Sequence, residues 1–162
     1  KLAGELTETN LLRLDYWKAL RTLMESRGGR VRPTKAQPQT WMDFSVGRSH
    51  FGLSTHVIAR DRHIRVALVL YGPDAKAHFH LLHGQKESIE AEIGEPLQWS
   101  EKPEKKMSFV RLSRKDSDPD DKATWAQQHR WLYERLEKFH AAFAPRIQQL
   151  DADEYSPGVD DE

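Results

Sequence analysis

The apolar positions of this chain alternate between two periods. In residues 10–27, Leu11, Leu12, Tyr16, Leu20, Leu23 and Met24 recur at helical spacing, with Trp17 beside them. That is the stripe of an amphipathic helix. Thr9 or Asn10 is placed to cap its start and Gly28-Gly29 to stop it. RVRPTKAQPQ then reads as a loop. Period two follows, and predicts strands at residues 40–46, 51–59 and 63–71. In the third, Ile64, Val66, Leu68 and Leu70 share one face, while Ala67, Val69 and Tyr71 share the other. Two apolar faces predict a central strand. Arg60-Asp61-Arg62 turns the second strand into the third.

Helical spacing returns after Gly72-Pro73-Asp74 and predicts one helix to about residue 93. Phe79, Leu82, Ile89 and Ile93 form its stripe, broken by Lys86. Gly84 weakens it by roughly 1 kcal/mol relative to Ala, and Gly94 ends it. Residues 97–100 and 107–112 read as a second hairpin around EKPEKK, and residues 116–120 as a polar loop. The last helix is predicted over 121–150. Trp125, Leu132 and Phe139 form one sevenfold series; His129, Leu136, Phe143 and Leu150 form another. Pro145 predicts a kink near Ala141, because it removes a backbone donor. The expected fold is α+β, a mostly antiparallel sheet of about five strands in the order α-β-β-β-α-β-β-α. Helices pack on that sheet, the C-terminal one long. Residues 1–150 are expected to form a single domain, and 151–162 (DADEYSPGVDDE) an acidic, disordered tail.

Composition narrows the chemistry. A chain of 162 residues with five Trp and six Phe has enough for one real core. No apolar run approaches the ~20 residues of a membrane helix, so no membrane partner is expected. With no Cys, disulfides, thiolate zinc sites and a cysteine nucleophile are excluded, which fits a cytoplasmic chain. The start, Lys1-Leu2-Ala3-Gly4, lacks an initiator Met and a signal pattern, and reads as a piece of a longer protein.

The net charge of zero hides an asymmetry. Residues 151–162 carry six acids and no base, whereas residues 27–115 carry sixteen Lys/Arg against nine Asp/Glu. The bases cluster at Arg27, Arg30, Arg32 and Lys35; at Arg60, Arg62 and Arg65; and at Lys102, Lys105, Lys106, Arg111, Arg114 and Lys115. If they converge on one face they form an electrostatic footprint for DNA or RNA. Trp41 and Trp99 are the candidate stacking surfaces. The bland reading is solvated loop charge and buried tryptophan, and Glu101 and Glu104 interrupt the last cluster.

Gly47-Arg48-Ser49 lies between two strands. A glycine there tolerates positive φ, backbone amides can turn toward an anion, Arg48 supplies a fork and Ser49 a hydroxyl. An ordinary hairpin turn with an exposed arginine is the alternative. His78, His80 and His83 read as solvated helix histidines rather than metal ligands, since no third ligand or HExxH pattern accompanies them. His56 and His63 stand on neighbouring strands without an evident acid partner and read as structural. No GxSxG elbow, Walker loop or GxGxxG fingerprint is present.

The order helix, three strands, helix, strand resembles the core of restriction-endonuclease-like folds. That chemistry needs acids on the second and third strands to hold Mg²⁺. FGLSTHVIA and HIRVALVLY contain none, and Asp43 and Asp61 are lone acids. No catalytic residue, metal or cofactor is therefore expected.

Several segments, YWKAL, SVGRSHFGLS, RVALVLYG, KESIEAEIGEPLQW and HRWLYERLEKFHAAFAPRI, together resemble the bacterial domain of unknown function 4268 over about residues 7–150. The resemblance implies a position C-terminal to a restriction-endonuclease-like nuclease domain, in DNA processing or defence. It carries over no catalytic residue. Gly47, Arg48, Ser49, Glu90, Gly94 and Trp99 fall in its recognisable segments.

The expected function is a non-catalytic accessory domain of a bacterial nuclease-type or defence-related protein. It is expected to bind nucleic acid through Gly47, Arg48, Ser49, Arg60, Arg62, Lys105, Lys106 and Arg114. A second reading is an oligomerisation or protein-docking module, including a homodimer, using the last helix with Trp131 and Tyr133 off its main stripe. A third is a metal-dependent nuclease.

Overall fold

A computed structural model describes residues 7–156. Helix α1 (Glu8–Arg27) is capped by Thr7, whose Oγ1 accepts the Asn10 amide at 3.0 Å. The cap thus stands earlier than the sequence reading placed it. Gly28 closes the helix at φ 65°, its amide donating to the Met24 carbonyl. That left-handed position favours glycine. The buried face carries Tyr16, Trp17, Leu20 and Met24, as the periodicity predicts, whereas Leu11, counted in the same stripe, is exposed near the helix start.

Five strands follow: β1 (Trp41–Phe44), β2 (Phe51–Ile58), β3 (His63–Leu70), β4 (Gln98–Ser100) and β5 (Ser108–Arg114). They form one antiparallel sheet in the order β1-β2-β3-β5-β4. The strand with two apolar faces, β3, is central. The fold is α+β, as expected.

The second predicted helix is two helices, α2 (Ala75–His83) and α3 (Lys86–Ile93). The break falls at Gly84 and Gln85, where the Gln85 amide turns back onto the Leu82 carbonyl at 2.8 Å. Each half has its own partner: α2 lies on β3 and β5, and α3 on the last helix. Splitting at the weak glycine lets Phe79 and Leu82 bury on the sheet while Ile89 and Ile93 bury elsewhere.

The last helix, α4 (Trp125–Gln149), starts after a 3-10 turn at Lys122–Thr124 and continues through Pro145. Leu132, Leu136, Phe139, Phe143 and Ile147 are buried. The sevenfold stripe is therefore covered by this chain's own β2, β3, α1 and α3. Glu137 on α4 accepts the amides of Arg30 and Val31 at 2.8 and 2.9 Å and ties down the loop after α1.

Residues 151–156, expected in a disordered tail, fold back. A 3-10 turn at Ala152–Glu154 leads to Tyr155, whose ring stacks on His80 at 4.9 Å. The rest of that expected tail, 157–162, lies outside the described residues.

Candidate functional site

Helices α2 and α4 pack on the sheet face that carries Phe44, Leu53, Val66, Leu68 and Val110, and α1 and α3 pack on α4. The period of two sends the alternate residues to the opposite face. Register aligns them in rows across the strands: Gly52, Val69 and Phe109; Asp43, Ser54, Ala67 and Arg111; Trp41, His56, Arg65 and Ser113. No described helix covers this face. Trp41, Tyr71 and Met107, at 42%, 42% and 41% exposure, all stand on it. They line a trough of about 760 Å³ together with Gly52, Ser54 and Phe109. The second apolar face of β3 meets this trough through Val69 and Tyr71.

Two arginines flank the trough without lining it, Arg65 paired across the strands with His56 and Arg111 in the row of Ser54. Arg111 lies over the Phe109 ring at 4.6 Å. Arg65 donates to Ser113 Oγ and His63 Nε2, both at 3.3 Å. Neither arginine forms an ion pair with an acid among the described residues. Burial lowers both pKa values, and Arg111 lowers that of Arg65 further. Both guanidinium groups stay charged, so the sheet holds two half-buried positive charges that no acid among the described residues pairs. An anion would relieve that cost. His56, hydrogen-bonded to Ser54 Oγ at 2.9 Å, is pushed down to about 4 by burial and then by Arg65 and Arg111. It is neutral near pH 7. Burial raises the Asp43 carboxyl, opposed by a hydrogen bond from Trp41.

The sequence-predicted residues do not gather at one turn. Gly47 has φ 94°, and its carbonyl accepts from Gln148 Nε2 at 2.8 Å. Arg48 is not an open anion fork: its Nη1 donates to the Ile147 and Leu150 carbonyls, each at 2.8 Å. Arg48 closes the C-terminus of α4, where carbonyls lack helical partners. Ser49 is exposed beside it. Arg60 and Arg62 are exposed at the β2–β3 turn, and Arg114, at the same end of β5, donates to Ser117 Oγ at 2.6 Å. Lys105 and Lys106 are exposed in the β4–β5 hairpin, at the opposite end of the sheet. The clusters therefore stand at two ends, with Arg65 and Arg111 on the strands between them.

The proposed docking aromatics are also placed differently. Trp131 and Tyr133 are half-buried against the core, covered by Arg135 at 5.2 Å and Arg27 at 5.9 Å. Trp99 is no free stacking surface either. Its Nε1 donates to Glu90 Oε2 at 3.0 Å, and its ring packs on Phe79, His83 and Phe143. Glu90 also accepts the Leu97 amide, and these two bonds lower its pKa against the effect of burial. Of the α2 histidines only His83 is exposed. His78 is buried against Phe51, and His80 bonds Glu101 at 2.8 Å. Among the described residues no cluster of three metal-ligating side chains occurs, and no helix is long and apolar enough to cross a membrane.

Sequence reading missed Tyr71, Phe109, Gly52 and Ser54 as a set. The signal was present in the alternation Gly52, Ser54, His56 on β2 and Phe109, Arg111, Ser113 on β5, each opposed by an apolar series.

Fold and site together define an α+β domain with one sheet face under helices and the other open, aromatic and cationic. The chain belongs to the family described as a domain of unknown function, number 4268, whose family model matches residues 12–147. Neither the curated proteins nor the solved structures give a match to this chain.

Proposed function

We propose that this is a non-catalytic accessory domain that binds single-stranded nucleic acid across the open face of its sheet. The reading places it in the cytoplasm, in a bacterial nuclease-type or defence-related protein. One observation carries it: exposed aromatic rings stand among half-buried arginines that have no acidic partner. Aromatic faces stack on unpaired bases and arginines neutralise phosphates. The seven residues of β5 span roughly 20 Å at the usual strand rise, enough for several nucleotides. Arg60, Arg62 and Arg114 at one end, and Lys105 and Lys106 at the other, extend the positive track.

The test is fluorescence anisotropy of labelled single- and double-stranded oligonucleotides at rising salt. Single strands are expected to bind more tightly than duplex. Arg111→Ala and Arg65→Ala are each expected to flatten the log–log salt slope by roughly 0.7, one phosphate contact. Arg48→Ala is expected to leave the slope unchanged. Absence of binding at low salt, or slopes indifferent to Arg65 and Arg111, rejects the reading.

A further inference from the structure

Gly52 is a glycine that the fold does not require. It sits inside β2, opposite Val69, where glycine weakens a strand by roughly 0.5–1 kcal/mol relative to Ala. Its φ is not in the left-handed region. A Cβ built there would meet only the Phe44 carbonyl oxygen, at 3.7 Å, an ordinary contact. Neither backbone conformation nor packing excludes a side chain. The missing side chain instead deepens the trough that Trp41, Tyr71 and Phe109 also line. A strand glycine with no internal reason marks a place where something from outside approaches the backbone.

Building on the nucleic-acid reading above, we infer that the trough over Gly52 is a slot for one unpaired nucleobase, held at a donor edge by Asp43. The walls are aromatic, so the occupant is flat. Arg111 and Arg65 stand on the strands beside it, in the rows of Ser54 and His56, so the occupant carries an anion nearby, as a nucleotide does. Asp43 faces the trough. A carboxylate accepts from the exocyclic amino group of cytosine, adenine or guanine and equally from the N3–H of an unpaired thymine or uracil. The Ser54–His56 pair adds a hydroxyl and a neutral ring beside it. The slot therefore takes any base that turns an N–H toward Asp43.

The experiment compares labelled 12-mers of oligo-dC, oligo-dT and oligo-C on the full chain, with Gly52→Val, Gly52→Ala and Asp43→Ala variants. Thermal midpoints are recorded for each. Gly52→Val is expected to keep or raise the midpoint, since valine suits a strand. It should weaken oligo-dC binding about tenfold, the loss of one stacked base. Gly52→Ala, which the backbone accepts with an ordinary contact, is expected to show a smaller loss in the same direction. It stands in if valine impairs folding. Asp43→Ala is expected to weaken oligo-dC and oligo-dT alike, and unchanged binding of both in that variant overturns the role given to Asp43. Wild-type binding that depends on Arg65 and Arg111 yet is unchanged in folded Gly52 variants overturns the slot and leaves the wider interface standing. No wild-type binding to any of the three overturns both.

Discussion

Arg48 shows how one side chain can look like a ligand-binding group and serve as a clasp. Its two bonds to the Ile147 and Leu150 carbonyls hold the end of α4 to the loop between β1 and β2. Arg48→Ala is expected to lower stability by about 1–3 kcal/mol, the worth of hydrogen bonds to a charged donor, as a lower urea midpoint with unchanged slope. His129 gives a pH test. It is 4% exposed, and its Nε2 has no partner. Burial pushes its pKa down to about 4, against the Tyr16 backbone bond, which raises it. Its ordinary value is 6.5, so between pH 6.5 and 4 the unfolded chain binds the proton and the folded chain does not. The contribution is fully present above pH 6.5 and is lost as pH falls toward 4. It amounts to up to roughly 3 kcal/mol. Urea midpoints at pH 7 and 4.5 should separate strongly in the wild type and less in His129→Asn; His56 pulls the same way, so some dependence persists. None of this is readable from sequence. Arginine and histidine look alike whether they meet a carbonyl, a ring or solvent, because their partners lie far along the chain.

At the scale of elements, periodicity carried much of the architecture. The stripe of α1, the sevenfold series of α4 and the alternation of β2 and β3 reported their own burial. The single helix over residues 72–93 did not survive, because periodicity across Gly84 stays in phase while the two halves turn to different partners. The two apolar faces of β3 were legible as a pattern, but a pattern does not say which face helices cover. The β4–β5 hairpin depends on something else that sequence conceals. Lys76 on α2 donates to the carbonyls of Glu101, Lys102 and Met107 and to Ser108 Oγ, at 2.6 to 3.0 Å. One ammonium thus gathers both arms of the hairpin. In Lys76→Met, hydrogen exchange at residues 101–108 is expected to accelerate while the amides of β2 and β3 stay protected. Uniform acceleration across the sheet would show that Lys76 supports the whole fold instead.

The whole molecule divides its labour by face. Helices spend their apolar stripes on one side of the sheet, and the candidate site occupies the other, where rigid strands hold its side chains. Substitutions on the open face should therefore change binding with little effect on folding. Tyr71→Ala is expected to shift the thermal midpoint by no more than a degree or two while weakening oligonucleotide binding. A large drop in midpoint would mark Tyr71 as part of the core. The sheet's borders are its briefest members: β1 has four residues and β4 three. Each leaves only a short run of unpaired backbone amides and carbonyls. Strand-to-strand templating, the route by which sheets fuse into fibrils, has little to grip at either border. A protein with an exposed apolar trough ordinarily risks sticking to itself. Here self-recognition through the backbone is curtailed, so what adheres to the molecule is decided by side chains on its face, and like-charged arginines there discourage a second copy from being the one that does.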